Sequence, residues 1–331
     1  MATLGSKVPA RGVGAVEPRG GSGAAPARIL VVTGPTGIGK SRVADALARL
    51  TPVEVVSADA GQVYRYLNIG TAKPSPAERE RLPYHGLDLI LPTERFSAGR
   101  FAREAKVWIE DIAARGRLPV GVGGTGFYLR ALFEGLFVEP ALDPSRRARL
   151  RAALEALDPS DLCRWARRLD PGYRGGGTQR AGRAIEVALL TGRPLSEHQR
   201  AAPPAPSGLA PWYAVLRLPR EKLTLRIGAR TEAMLEAGLV DEVKRVINAG
   251  VPLDAPGLAM IGYAEVVAML SGEMDEMELA PAIALATRRY AKRQETWLRH
   301  QLRGPVTWFD AARSPEALAK DVLAGYRAAT S

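Results

Sequence analysis

The chain has 331 residues, enough at ~150 residues per domain for two domains and a full hydrophobic core. With 46% hydrophobic and 24% charged residues, and no stretch of about 18 apolar residues, the composition excludes disorder throughout and a membrane-spanning role. A net charge of +11 points to an anionic partner, while the lone Cys163 and three scattered histidines exclude a disulfide framework and a zinc site. Any metal is then hard and oxygen-bound.

Residues 1–27 are rich in Gly, Ala and Pro, lack the apolar core of a secretory signal, and read as a disordered tail of a cytoplasmic protein. The first ordered segment, Ile29 to Thr33, is a β-branched strand. It runs into Gly34-Pro35-Thr36-Gly37-Ile38-Gly39-Lys40-Ser41 and then a helix former, Arg42 to Leu50. Val53 to Ala58 predicts a second strand, Leu87 to Leu91 a weaker third and Leu118 to Val122 a fourth. The amphipathic stretch Phe101 to Arg115 lies between the last two. Strands alternating with helices imply an α/β fold, a phosphate-loop-type parallel sheet core covered by helices.

From Pro144 the text turns to Ala/Leu/Arg/Glu, interrupted at Pro171 to Gly177 and at Ala201 to Pro211, before Trp212 to Leu218 reads again as a sheet strand. A mostly helical insertion domain over 144–210 therefore divides the core into 28–143 and 211–313, with a C-terminal helix or tail over 314–331. Glu221 to Gly250, Ile261 to Leu270 and Glu276 to Arg303 predict helices, and Val306 to Phe309 a short last strand. On the longest of these, Ile283, Ala286, Tyr290, Gln294 and Trp297 recur at helical spacing as the core face. Arg289, Lys292, Arg293 and Thr296 form another stripe.

The G-x-x-x-x-G-K-[ST] pattern, Gly34 to Ser41, carries its own chemistry. Its glycines let backbone N–H groups wrap a diphosphate, Lys40 neutralises it, and the Ser41 hydroxyl can ligate Mg²⁺. Nothing in the loop says whose phosphates are bound: ATP, GTP and an alkyl diphosphate fit alike. Asp59 follows the second strand, at the carboxyl end where open α/β sheets bind ligands, although an Asp there also caps turns. Gly123-Gly124-Thr125-Gly126 closes the fourth strand with a second glycine turn, which could equally be a tight connection.

Together these strings resemble the tRNA dimethylallyltransferase (tRNA isopentenyltransferase) family. The match takes in the phosphate loop, Asp59 with Gln62-Val63-Tyr64, Ile69 to Pro74, the Gly123 to Gly126 turn, Gln179 to Val187, Ile261-Gly262-Tyr263 and Ala291 to Arg299, in order, from Arg28 to Asp310. The resemblance implies transfer of a dimethylallyl group from dimethylallyl diphosphate, with Mg²⁺, to N6 of the adenosine 3′ of a tRNA anticodon. It implies Asp59 as general base, and Thr125 and Arg226 as contacts to the diphosphate, with Arg230 the next candidate. On the tRNA anticodon stem-loop it implies Asp59, Ala60, Gly61, Gln62, Arg147, Gln179, Arg180, Arg183, Ile261, Gly262, Tyr263, Lys292, Arg293 and Arg299. One departure stands out: the family's usual Ser after the base is Ala60. The expected assembly is a monomer with no membrane partner.

Two other enzymes share parts of this pattern. An isopentenyltransferase acting on free adenine nucleotides would use the same donor loop without needing the insertion or the basic last helix. A small-molecule phosphate-loop kinase would want an Asp closing the fourth strand, where this chain has Gly123-Gly124-Thr125. A non-catalytic RNA-binding protein would leave Lys40, Asp59 and Thr125 without a reason to coincide.

Overall fold

The computed structural model describes residues 27–136, 142–201 and 208–330; apart from Ala27, the segment read as a disordered tail lies outside them. Six strands form one all-parallel sheet: β1 (Ala27–Thr33), β2 (Val53–Ser57), β3 (Tyr84–His85), β4 (Leu118–Val122), β5 (Leu209–Arg217) and β6 (Val306–Asp310), in the order β3-β2-β4-β1-β5-β6. Alternation within the strands sends Ile29, Val31, Tyr213 and Val215 to one buried face and Leu30, Val32, Trp212 and Ala214 to the other. Both faces are therefore covered, as near-continuous apolar strands require.

Around the sheet lie α1 (Lys40–Ala48), α2 (Pro76–Arg81), α3 (Ala98–Ala114), α4 (Gly126–Phe133), α9 (Arg220–Glu236), α10 (Leu239–Asn248), α11 (Tyr263–Leu270), α12 (Glu276–Gln301) and α13 (Pro315–Thr330). Between α4 and β5 come α5 (Pro144–Glu155), α6 (Pro159–Leu169), α7 (Gly177–Thr191) and α8 (Leu195–Ala201). The first three of these bury a small core of their own, Leu154, Leu162, Ala166, Ala181, Ala184 and Ile185. Local chemistry sets several starts. The Ser97 hydroxyl accepts from Arg100 N, and the Asp143 and Asp158 carboxylates accept from Arg146 N and Ser160 N ahead of Pro144 and Pro159.

Three expectations are corrected. The third strand is Tyr84–His85, not Leu87 to Leu91, because Gly86 and Asp88 take φ of +88° and +55° and break the extension. The following residues instead pair irregularly with the 62–65 loop, with Leu89 N–H donating to Val63 O at 2.7 Å. The stretch Glu221 to Gly250 is two helices, broken at Gly238 with φ +91°. The fifth strand begins at Leu209, three residues before Trp212, and runs to Arg217.

Candidate active site

Parallel strands deliver their connections to one edge, and the loops after β1, β2 and β4 meet there. Thr33 Oγ1 donates to Gly123 O at 2.8 Å, tying the end of β1 to that of β4. Thr125 N–H donates to Ala58 O, and Ala60 N–H donates to Thr125 Oγ1 at 3.0 Å, tying β4 to β2. Asp59 accepts from Gly61 N at 2.9 Å and also lines the cavity, so the turn-capping and chemical readings of this residue coexist.

Gln294 on α12 clamps the two glycine loops. Its Oε1 accepts from Thr36 N at 2.8 Å and its Nε2 donates to Gly124 O at 2.9 Å. A Cβ at Gly124 would lie 2.3 Å from that amide, and one at Gly126 would lie 2.3 Å from the Trp297 ring. The Gly123 to Gly126 turn thus lets α12 approach, which a simple tight connection would not need. The helix's core face is Ile283, Ala284, Ala291, Gln294 and Leu298, with Ala286, Tyr290 and Trp297 half-buried.

The cavity under these loops has a volume of about 360 Å³. Its polar wall carries Thr36, Asp59, Thr71, Arg230, Tyr290 and Arg293, and its apolar wall Ile227, Met234, Met260 and Ile283. Lys40 Nζ donates to Gly34 O and Pro35 O, both at 2.9 Å. Burial pushes its pKa down to about 8, with the Arg230 guanidinium adding to the fall and Asp59 opposing it. Burial likewise lowers the pKa of Arg230, against the pull of Asp59. Two desolvated cations facing one carboxylate form a site short of negative charge, which a diphosphate would supply.

The remaining expected site residues divide. Ala60, Gly61, Ile261 and Gly262 line the cavity. Arg226 meets the phosphate loop from behind, donating to Ile38 O and Ala311 O at 3.1 Å each, and Arg230, one turn on, is the arginine in the cavity. Gln62 is engaged in support: its Oε1 accepts from Ser57 Oγ at 2.7 Å and its Nε2 donates to Thr71 O and Ala72 O. Tyr263 lines the cavity as well, and is buried with its hydroxyl 2.7 Å from Glu242 Oε1. That buried carboxylate also accepts from Asn68 N and Ile69 N, a role no linear pattern announced.

Arg147 and Arg183 are not simply presented outward, for both donate to the buried Glu186 at 3.1 Å, and Arg151 is a third donor to the same carboxylate. Gln179 and Arg180 are exposed on the first turn of α7. On α12, Lys292, Arg293 and Arg299 are exposed but not on one surface. Arg293 lines the cavity, its guanidinium 5.7 Å from the Tyr290 ring centroid, while Lys292 joins Arg220, Arg288 and Arg289 along a groove against α9.

Among the described residues no group of His, Cys, Asp and Glu could hold a metal, and no helix is long and apolar enough to cross a membrane. Ser41, the expected Mg²⁺ ligand, is exposed at the start of α1 beside Lys40.

Comparisons with known proteins give the family. The IPP transferase family model matches residues 62–301, and an isopentenyl transferase model matches 27–85. A tRNA dimethylallyltransferase of Halorhodospira halophila is 45% identical over 84% of this chain and 92% of its own, and one from Trichlorobacter lovleyi is 43% identical over 83% and 91%. The crystal structure of a tRNA isopentenylpyrophosphate transferase from Bacillus halodurans aligns with a TM-score of 0.66 at 32% identity, covering 90% of this chain and 96% of that one. A eukaryotic dimethylallyltransferase acting on tRNA aligns at 0.70 and 28% identity, covering 86% and 74%. With that family model matching residues 62–301 and a relative 45% identical over 84% of its length, this chain belongs to the IPP transferase family.

Proposed function

We propose that the protein transfers a dimethylallyl group from dimethylallyl diphosphate to N6 of the adenosine 3′ of the anticodon in tRNA, releasing diphosphate. The observation that carries this reading is one cavity that sets Arg230 and Asp59 on its polar wall against an apolar wall, with the buried Lys40 of the phosphate loop near enough to feel the charge of both. The cations suit a diphosphate, Ile227, Met234 and Ile283 suit a short isoprenoid chain, and Asp59 suits an amine.

In the reaction the N6–C bond forms as the allylic C–O bond breaks, and the amine proton goes to Asp59. The exocyclic amine is a weak nucleophile whose proton becomes acidic as the bond forms, so a carboxylate in hydrogen-bond reach can orient it and take that proton. Gly61 N–H holds Oδ1 of Asp59 in place for this, at 2.9 Å. Charge growing on the leaving diphosphate is met by the loop N–H groups, Lys40 and Arg230, with Arg226 supporting the loop through Ile38 O. Thr125, which accepts from Ala60 N and stands at the N-terminus of α4, ties the Asp59 loop to the second glycine turn and is proposed to act with Asp59, while Arg226 acts through the phosphate loop. Mg²⁺, held by the diphosphate and Ser41, would supply further neutralisation of the leaving group.

A base must leave its stack to reach Asp59, and contacts to neighbouring nucleotides offset that cost. Arg293 at the cavity, exposed Lys292 and Arg299, and Arg147, Gln179, Arg180 and Arg183 on the insertion helices are the proposed RNA contacts. One chain supplies both donor and acceptor walls, so a monomer suffices, and tRNA as acceptor implies the cytoplasm. The test is transfer of label from dimethylallyl diphosphate with Mg²⁺ to three acceptors: unmodified tRNA, the same tRNA with the target adenosine changed, and AMP. Label on the first alone is the expected result. Label on AMP would establish a nucleotide isopentenyltransferase instead, and label on none would overturn the reading.

A further inference from the structure

Among the described residues three other than glycine take positive φ: Tyr66 at +68°, Ala72 at +46° and Asp88 at +55°. Asp88 pairs with the buried ammonium of Lys73, Ala72 precedes that residue in the chain, and Tyr66 borders the same cavity. Lys73 Nζ donates to Asp88 Oδ1 at 2.7 Å, to Asn68 Oδ1 at 3.2 Å and to Tyr64 O, and its side chain is 0% exposed. Asp accepts the left-handed region readily and Ala72 is small, but a bulky tyrosine there is an outlier. Strain of this kind persists where the surroundings over-determine it, and it clusters at functional sites.

The surroundings do over-determine Tyr66. Arg65 N–H donates to Ile90 O at 2.8 Å and Arg65 Nε to Asp88 O at 2.9 Å on one side. On the other, Leu67 is fully buried and Asn68 N donates to Glu242 Oε2 at 2.9 Å. The pinned backbone holds out a residue that is 62% exposed, so burial of the ring does not offset its strain. The ring borders a cavity of about 460 Å³ that also carries Arg65, Lys73 and Arg79 against the single carboxylate of Asp88. A rigid exposed aromatic beside a surplus of cations is the combination that takes a base on its face and a phosphate at its edge.

Position adds the last element. Gly70 and Thr71, on the same loop, line the Asp59 cavity, and four residues of chain from Tyr66 to Gly70 span at most about 14 Å. We propose that Tyr66 is a stacking platform for an unpaired nucleotide that flanks the modified adenosine, with Arg65 and Arg79 beside its phosphate. The inference rests on the reading of the Asp59 cavity as an adenosine site in tRNA. It assigns Tyr66 to positioning the RNA, not to chemistry.

Full-length wild type and the variants Tyr66→Phe, Tyr66→Asn and Tyr66→Gly test it, Asn and Gly being residues that tolerate the backbone and lack the ring. Steady-state transfer to tRNA is measured alongside binding of an anticodon stem-loop carrying 2-aminopurine next to the target adenosine. Tyr66→Phe should keep the KM for tRNA and the fluorescence quench on binding. Tyr66→Asn and Tyr66→Gly should raise that KM about tenfold, with kcat and the KM for the donor within twofold, lose the quench, and melt at the wild-type temperature or above. The inference is overturned if Asn and Gly leave the KM for tRNA within twofold, or if Phe behaves as they do. Wild type that transfers nothing to tRNA would instead remove the underlying reading, and this inference with it.

Discussion

At the scale of single residues, the charge balance around Lys40 sets a pH dependence. Its pKa is pushed down to about 8, chiefly by burial. As pH rises through that value the free enzyme loses the charge that meets the diphosphate, so the KM for the donor should climb above about pH 8 while staying flat below it. Arg230 contributes to that depression. Arg230→Gln should therefore move the limb to higher pH while raising the donor KM at neutral pH by tenfold or more, about 1.4 kcal/mol. A donor KM unchanged across this range would remove Lys40 from the diphosphate site. Arg230 was within reach of the sequence, lying four residues from Arg226 on one helix face. What the spacing could not show is which of the two arginines turns inward, because that depends on how α9 packs against the phosphate loop.

At the scale of elements, α12 acts as a clamp through Gln294. Gln294→Leu leaves Thr36 N–H and Gly124 O without their partner, at a cost of about 1–3 kcal/mol for each group left buried and unpaired. Thermal unfolding should show a lowered Tm, and kcat should fall because the donor loop and the Thr125 turn are no longer held together. An equally stable and active variant would refute the clamp. A second device lies at the other end of the sheet. Glu54 on β2 pairs with Arg115 and with His85 Nε2 at 2.8 Å, and Arg117 Nε sits 3.0 Å away without hydrogen-bond alignment. The Arg115 hydrogen bond, against the opposing effect of burial, holds the Glu54 pKa down at about 2.

A carboxylate with a lowered folded-state pKa contributes stability that is complete above its ordinary value of 4.5 and is lost as pH falls toward 2. Glu54→Gln should accordingly lower Tm at pH 7 and flatten the acid dependence of Tm between those values. Periodicity found α3, α12 and the main strands because each carries a long buried face. It missed Tyr84–His85, a strand of two residues, and the break at Gly238, because neither leaves a repeating signal. Glu242 and Glu186 were equally silent in the sequence. A buried carboxylate is recognised by partners that lie 173 residues away for Ile69 and 39 for Arg147.

At the scale of the whole molecule, the excess positive charge is distributed over several surfaces. The insertion helices, the cavity edge at Arg293 and the groove at Lys292 each carry part of it. Replacing Lys292 and Arg293 together by Ala should weaken tRNA binding and reduce the slope of log affinity against log salt by about one to two. An unchanged slope would take these residues out of the RNA interface. The family resemblance was legible because the glycine loops, Asp59 and the α12 string are contiguous in sequence, whereas the hydrogen bonds that hold Tyr263 to Glu242 and Gln62 to Ser57 depend on the fold.

The central claim is that one cavity holds the leaving diphosphate and the adenine amine, with Asp59 as the base between them. It is tested most directly by Asp59→Ala in a single-turnover transfer to tRNA, with tRNA affinity measured on the same preparation. The account predicts a transfer rate lower by about 10²-fold or more, with tRNA affinity within a few fold of wild type. Intact turnover at saturation with weakened tRNA binding would contradict it, and would make Asp59 a contact to RNA instead of the base.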